Sequence, residues 1–153
     1  MNLRHRAREA ALQMLYQAQV GRASAHEAVR TYWPGRDAPP SPEDEHADAV
    51  PEVAVDELGR VFANALVSGT LARVAEIDEL IAAHLKNWRI ERTAVIDRLI
   101  LRLAIYELLT ETATPPKVII NEALELARTF SGEEPVPFIN GVLDAVRKTL
   151  GRE

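Results

Sequence analysis

The sequence predicts an all-α protein, and three observations support this expectation. Hydrophobic residues make up 47% of the chain and charged residues 27%, the balance of a soluble globular protein. Aromatic residues reach only 5% and glycine occurs seven times, so the apolar residues are mostly aliphatic, which suits helices better than sheets. Apolar residues also recur at helical spacing in several long runs. At 153 residues the chain has room for one domain, or for two small bundles that share a core.

The N-terminal part of the chain predicts a helical hairpin. Apolar residues recur at helical spacing from Leu3 onward, and neither glycine nor proline interrupts the run before Gly21. Ser24 followed by Glu27 has the form of a capping box, which predicts the start of a second, shorter helix. The Trp-Pro-Gly segment at 33–35 predicts the end of that helix.

The middle of the chain predicts further helices. The first is expected to bury a face made of Val55, Leu58, Val61, Phe62, Ala65 and Leu66. A second apolar series runs from Leu71 to Leu85, beyond Ser68 and Gly69, so one kinked helix or two consecutive helices would fit. The segment 90–109 is apolar around most of the helix circumference, which predicts that it lies at the centre of the fold.

Two more helices are expected in the C-terminal part. Pro115 and Pro116 restart a helix, with Thr114 as its candidate cap. The Phe-Ser-Gly segment at 130–132 stops it, and apolar residues at helical spacing over 138–150 predict the last helix. No internal repeat is present, so the sequence indicates a single domain over 1–153 rather than a repeat array.

The segment 34–51 predicts an exposed loop. It holds five of the nine prolines, and almost no apolar residue occurs before Val50. Eight acids and no Lys or Arg occur over 37–57, so the net charge of −5 becomes +3 when these eight are set aside. Of the 18 cations 15 are Arg, which binds phosphate and stacks on bases better than Lys does. A codon-usage bias explains the arginine excess equally well.

Several function classes are excluded by composition. Cysteine is absent, which removes disulfides, thiolate nucleophiles and cysteine-ligated metals. No phosphate-binding glycine loop, nucleophile elbow or paired metal-binding histidine motif occurs, so neither an enzyme nor a bound cofactor or metal is expected. No stretch approaches the roughly 18 apolar residues of a membrane span, and no apolar signal core follows the basic N-terminus, so a cytoplasmic protein is expected.

A cluster of cations at the N-terminus is the first candidate binding feature. Arg4, His5, Arg6 and Arg8 lie within about 6 Å of helix rise and could contact a phosphate backbone from both sides. A solvated helix start explains them equally well. The carboxylates Glu122 and Glu125 are expected on a solvated helix face.

A second candidate feature is an Asn-Gly pair, Asn140 and Gly141, one turn into the last helix. The pair is unfavourable there by roughly 1 kcal/mol relative to Ala, so a packing or ligand requirement is expected. Close helix packing is favoured for Gly141, and the role of Asn140 stays open. On burial preference Phe138 is expected in the core rather than as a stacking surface.

Four ordered segments resemble the NusB family of bacterial transcription antitermination factors. They are RHRARE at 4–9, DRLILRLAIYEL at 97–108, PKVIINEA at 116–123 and FINGVLD at 138–144. The resemblance covers the chain apart from the acidic loop. It implies an all-helical protein of two small bundles that is not an enzyme. It also implies binding to the boxA element of ribosomal RNA leader transcripts as single-stranded RNA, together with a small-subunit ribosomal protein, other Nus factors and RNA polymerase.

The resemblance also implies roles for individual residues. RNA-binding roles carry over to Arg4, His5, Arg6 and Arg8 in the N-terminal segment and to Glu134 and Phe138 near the last helix. Pro137 stands where the family often has a Lys, so one phosphate contact is in question. The ribosomal-protein surface carries over to Tyr16 and Asp97. Family members occur as monomers and as homodimers, and the sequence leaves this choice open.

Two alternatives remain at the level of sequence. The chain can be a helical protein-interaction or assembly module that binds no RNA, with its arginines serving subunit contacts. Asp97 can form an intramolecular pair with Arg98, Arg102 or another Arg instead of facing a partner protein. Binding of single-stranded RNA separates the first alternative from the family expectation.

Overall fold

The computed structural model describes residues 3–37, 55–85 and 89–153. Within these ranges the chain forms helices and no strand, which confirms the all-α fold class. The helices are α1 (Leu3–Gly21), α2 (Ala25–Asp37), α3 (Glu57–Ala72), α4 (Val74–Ala83), α5 (Val95–Thr110), α6 (Pro116–Phe130) and α7 (Val136–Thr149). A 3₁₀ turn (Ile90–Arg92) precedes α5.

Helices α1, α2 and α3 pack together as the first bundle. The apolar face of α1 is buried as its spacing predicted, and α2 contributes Tyr32 and Trp33 to the same core. Both rings also use their polar atoms: the Tyr32 hydroxyl donates to Gln13, and Trp33 Nε1 donates to Asn64 Oδ1 at 2.8 Å. These hydrogen bonds fix α2 against α1 and α3 because a buried ring needs a partner for its polar atom.

Helices α4 to α7 form the second bundle, with α5 at its centre. Helix α5 packs against α1, α3, α4, α6 and α7, as expected for a helix that is apolar on most sides. Arg102 of α5 donates from Nε and Nη2 to the two carboxylate oxygens of Asp78 in α4, each at 2.8 Å. A single hydrophobic cluster includes residues of both bundles, so the two bundles share one core.

A glycine permits the closest approach between the bundles. A Cβ atom added at Gly69 of α3 would overlap the ring of Tyr106 in α5. The missing side chain therefore lets the Tyr106 ring lie directly on the α3 backbone. Helices α3 and α4 are two separate helices, since the helical geometry is interrupted at Arg73.

Two sequence-based expectations about the first bundle are wrong. Helix α2 continues to Asp37 with Pro34 inside it, so the loop begins later than Pro34, and the rest of the expected loop lies largely outside the described residues. On α3 the expected apolar face is rotated, because Leu58, Val61 and Ala65 are exposed. The buried positions of α3 are Gly59, Ala63, Leu66, Val67 and Thr70.

The start of α6 also differs from its predicted form. Pro115 precedes the helix and Pro116 occupies its first turn, but no side chain caps the helix. Thr114 is buried, and its hydroxyl accepts a hydrogen bond from Arg4 instead of capping α6. Within the described ranges, no helix has the length and apolar character to cross a membrane.

Candidate RNA and protein interface

The N-terminal cations lie at the free start of α1, where the chain meets α3, α5 and α6. Arg4 is exposed, and its guanidinium lies 4.9 Å from the centre of the Phe62 ring of α3. Arg4 Nη1 also donates to Thr114 Oγ1 at 3.4 Å, which is a long hydrogen bond. Arg6 is half-buried beside it. The first turn of α1 therefore carries two arginines, of which Arg4 lies near the loop that joins α5 and α6.

Arg8 does not belong to this surface. Its side chain is 1% exposed and lies between the bundles, where it contacts Glu107 of α5. The expectation that Arg8 is an exposed phosphate ligand is therefore wrong. The physical reason is that Arg8 follows the buried spacing of α1, one turn before Leu12 and two turns before Leu15.

The burial of Arg8 and Glu107 was predictable from their positions in the sequence. Glu107 follows Leu103 by four positions and Ile100 by seven, which places it on the buried side of α5. A cation on the apolar face of one helix and an acid on the apolar face of another indicate a buried ion pair. Grouping the N-terminal cations as one exposed cluster hides this signal, so sequence reasoning missed Glu107.

His5 joins α1 to α6. Its Nδ1 lies 2.6 Å from Glu122 Oε2, and its Nε2 lies 2.9 Å from Glu9 Oε1. With a proton on both nitrogens the ring donates to both carboxylates. The expectation that Glu122 belongs to a solvated face is wrong because its carboxylate turns inward to His5, whereas Glu125 is exposed and pairs with Arg128.

Two carboxylates that differ in burial, those of Glu107 and Glu122, lie around Arg8. Burial raises the pKa of Glu107 above its ordinary value, and the hydrogen bonds from Arg8 oppose that rise. Arg8 Nη1 lies 3.8 Å from Glu122 Oε2 and has no hydrogen-bond partner in the described part of the chain. One guanidinium is thus shared between a buried carboxylate and a half-buried one.

The region between α6 and α7 carries the other RNA candidates. Glu134 lies in the turn before α7 and is exposed, and Pro137 is exposed in the first turn of α7. Phe138 is 37% exposed, so the expectation that it belongs to the core is wrong. The cause is the earlier start of α7, which turns Val136 and Ile139 inward and leaves the Phe138 ring partly in solvent.

The Asn-Gly pair of α7 also differs from its expectation. A Cβ atom at Gly141 would meet no atom within 4 Å, so close helix packing does not require glycine there. Asn140 lines an open groove of about 440 Å³ between α6 and α7, opposite Lys117 and Asn121. The structure provides no packing reason for Gly141.

The two candidate protein-binding residues have opposite environments. Tyr16 is 42% exposed on α1, in agreement with a role at a surface. Asp97 in the first turn of α5 is 8% exposed, so the expectation that it marks an exposed polar edge is wrong. Its Oδ1 atom has no hydrogen-bond partner within the described ranges. The alternative pair with Arg102 is not formed, since that guanidinium binds Asp78.

Other unsatisfied polar atoms lie close to Asp97 in the sequence. Thr93 Oγ1 and Arg98 Nε are buried and have no partner in the part of the chain that is described. The 3₁₀ turn directly before Thr93 lines a shallow groove of about 560 Å³ with Ala82 and Arg89. Asp97, Thr93 and Arg98 thus place three buried polar atoms at the start of α5 that have no partner among the described residues. Sequence reasoning found Asp97 but missed Thr93 and Arg98.

The arrangement has the character of a binding protein. Across residues 3–37, 55–85 and 89–153 no group of three or more His, Cys, Asp or Glu side chains is placed to hold a metal ion. The described surface carries an arginine-bearing helix start, exposed aromatic rings and a helix start with buried polar atoms. These features suit contacts to phosphates, bases and a partner protein.

Comparison with known proteins identifies the same architecture. The model of the NusB family matches residues 5–148. The transcription antitermination protein NusB of Sorangium cellulosum is 40% identical over 88 residues, which are 58% of this chain and 51% of that protein. The NusB of Exiguobacterium sp. is 37% identical over 85 residues, 56% of this chain and 50% of that protein. The alignments thus span about half the length of these curated relatives.

Solved structures share the fold over nearly the whole chain. A structure of T. maritima NusB has a TM-score of 0.75 at 30% identity and covers 95% of this chain and 90% of its own. A structure of antitermination factors NusB and NusE in complex with double-stranded RNA shows the same fold, with a TM-score of 0.78 at 23% identity and coverage of 97% and 98%. With the family model matched from residue 5 to residue 148, the chain belongs to the NusB family.

Proposed function

We propose that this chain is a transcription antitermination factor. It binds a boxA-like single-stranded element of ribosomal RNA leader transcripts together with a small-subunit ribosomal protein. The complex then joins other Nus factors on RNA polymerase. The observation that carries the proposal is the NusB family match over residues 5–148, which includes the helix start with His5 and Arg6.

The proposed RNA surface combines the start of α1 with the turn before α7. Arg4, His5 and Arg6 supply cationic groups, and Glu134 and Phe138 supply the second region. Phosphates neutralised by guanidiniums provide affinity, and the partly exposed Phe138 ring provides a platform on which an unpaired base stacks. Arg8 does not contact RNA in this proposal because its guanidinium is buried. Its ion pair with Glu107 fixes the second turn of α1 to α5.

The proposed protein surface comprises Tyr16 and Asp97. Asp97 supports this assignment because a buried carboxylate oxygen without a donor gains a hydrogen bond when a partner supplies one. Tyr16 contributes an exposed aromatic ring, a residue type enriched at interfaces. A solved NusB of the same fold is bound to NusE and RNA.

Three further properties belong to this proposal. The chain acts by binding and not by catalysis, and it works in the cytoplasm, where transcription complexes assemble. Residues 1–153 act as one NusB-like RNA-binding domain, because a common hydrophobic core joins both bundles. Homodimers are compatible with the proposal if they dissociate when RNA binds.

The experiment is RNA binding with and without the ribosomal protein. Fluorescence anisotropy is measured with a labelled boxA-like single strand, with the same strand in a duplex, and with a scrambled strand. We expect preferential binding of the boxA-like strand and tighter binding when the ribosomal protein is present. If no RNA binds under either condition, the chain is instead the RNA-independent assembly module.

A further inference from the structure

We propose that Glu122 of α6 is a positioning residue for RNA binding, which holds the first turns of α1 so that Arg4 and Arg6 face the RNA. The inference rests on the proposed function, because it concerns the same RNA surface. The expected effect of removing Glu122 on RNA affinity is opposite to the effect that charge repulsion alone predicts. A carboxylate near an RNA surface repels phosphates, so its removal would otherwise tighten binding.

The described start of α1 carries cations where a helix normally favours acids. Its first turn contains no acidic residue, and it carries Arg4 and Arg6. Cations are unfavourable at this end of a helix because the macrodipole is positive there. The first backbone N–H groups also have no partner inside the helix. This turn is therefore stabilised by negative charge supplied from outside it, and Glu9 of the next turn already supplies one at His5 Nε2.

Glu122 supplies such a charge from a different helix. Its Oε2 atom lies 2.6 Å from His5 Nδ1 and 3.8 Å from Arg8 Nη1, so one carboxylate contacts two successive turns of α1. Its side chain is 18% exposed, which reduces screening of these contacts by solvent. Glu107 fixes Arg8 in the interior. Glu122 therefore connects the fixed second turn to the half-exposed first turn.

The two arginines proposed to face RNA lie on either side of His5 in the sequence. Arg4 and Arg6 are the chain neighbours of His5, so the His5–Glu122 contact sets where both guanidiniums start. Without Glu122 the first turn loses its contact with α6 but keeps those of Arg4 with Phe62 and Thr114. It therefore becomes more mobile, and RNA binding must order it further. That ordering cost lowers affinity and reduces the number of simultaneous phosphate contacts.

The test compares three variants by anisotropy with the labelled boxA-like strand over a series of salt concentrations. Glu122→Ala removes the contact, Glu122→Gln keeps an oxygen that accepts from His5, and Glu125→Ala is the matched control. Glu125 lies on the same helix and is exposed, and its carboxylate contacts Arg128 instead of α1. Its replacement by Ala removes the same charge as Glu122→Ala does. Thermal unfolding establishes that each variant is folded at the assay temperature.

We expect Glu122→Ala to weaken binding by about tenfold, the cost of ordering roughly one residue. The slope of log affinity against log salt should also become shallower. Glu125→Ala should bind as tightly as the unmodified protein or slightly tighter, and Glu122→Gln, which keeps the acceptor oxygen but not the charge, should recover part of the loss. If Glu122→Ala binds RNA at least as tightly as Glu125→Ala does, the positioning role is wrong.

A second measurement separates this inference from the proposed function. Hydrogen exchange at the amides of residues 7–10, the first that can bond within α1, should accelerate in Glu122→Ala and stay unchanged in Glu125→Ala. If the unmodified protein binds no RNA, the proposed function fails regardless of Glu122. If it binds RNA and exchange does not accelerate, only the positioning role is overturned.

Discussion

Arg8 of α1 and Glu107 of α5 form a bidentate ion pair in the interior of the protein. Arg8 Nε lies 3.0 Å from both carboxylate oxygens, and Nη2 lies 2.8 Å from Oε1. The two side chains are 1% and 2% exposed and lie 99 positions apart in the chain. The pair joins the first bundle to the central helix of the second bundle.

Removal of one partner should be costly. Arg8→Ala leaves Glu107 buried and unpaired, so we expect the free energy of unfolding to fall by about 3–5 kcal/mol. An Arg8→Met, Glu107→Leu double variant should recover most of that loss because no buried charge remains. Urea unfolding followed by circular dichroism measures both. Equal stability of Arg8→Ala and the unmodified protein would show that the pair is dispensable.

Glu107 should also make stability depend on pH. Because burial raises its pKa in the folded state, the folded protein binds a proton more readily than the unfolded chain does. Its contribution to the free energy of unfolding should therefore be largest below the ordinary value of 4.5 and fall as pH rises through the folded-state pKa. The stability difference between the unmodified protein and Glu107→Gln, measured from pH 4 upward, should decrease. An increase would contradict the sign.

The exposed arginines should control the salt dependence of RNA binding. Replacement of Arg4 and Arg6 by Ala should reduce the slope of log affinity against log salt by up to about 0.7 per lost single-strand contact. Stability should change by less than about 1 kcal/mol, since a half-exposed cation contributes little to folding. The matched control is Arg22 and Arg30 replaced together, two exposed arginines elsewhere. An unchanged slope in the Arg4, Arg6 variant would exclude them as the main phosphate contacts.

Phe138 should act through stacking. Phe138→Ala should weaken binding of the boxA-like strand by about 1–3 kcal/mol, the usual contribution of one stacked base. The salt slope should stay constant because no charge is lost. Phe138→Tyr keeps the ring and serves as the control. If Phe138→Ala lowers stability strongly but leaves RNA affinity intact, the ring has a packing role despite its exposure of 37%.

Substitution of Asp97 should change the affinity for the ribosomal protein and not the affinity for RNA. Asp97→Asn keeps the shape but removes the charge, so affinity for the ribosomal protein should fall by about 2 kcal/mol or more by isothermal titration. Binding of RNA alone should stay within a few-fold. Stability should stay the same or rise, because Asp97→Asn removes a buried charge whose Oδ1 has no hydrogen bond to lose within the described residues. Glu79→Gln on the exposed side of α4 is the control, and equal partner affinity for both variants would remove Asp97 from the interface.

Periodicity predicted the helices but misplaced some of their faces. The 3.6-residue repeat of apolar side chains is clear in α6 and α7, and α5 is apolar around most of its circumference, so these helices and the central place of α5 were predictable. On α3 the small residues Gly59 and Ala63 are buried while Leu58 is exposed. Hydrophobicity alone does not find such a face, because close helix packing selects for small size.

The sequence by itself determined the fold class, the family and the two regions from which the candidate site residues come. Local spacing and composition carry that information. Only the tertiary structure decided which of the clustered charges face solvent, because Arg8 finds its counter-charge 99 positions away, and His5 finds Glu122 at a separation of 117. The same holds for Asp97, whose burial depends on the elements packed around the start of α5. The apolar-face positions of Arg8 and Glu107 indicate that both are buried, but which charges pair is a property of packed helices that no short sequence segment encodes.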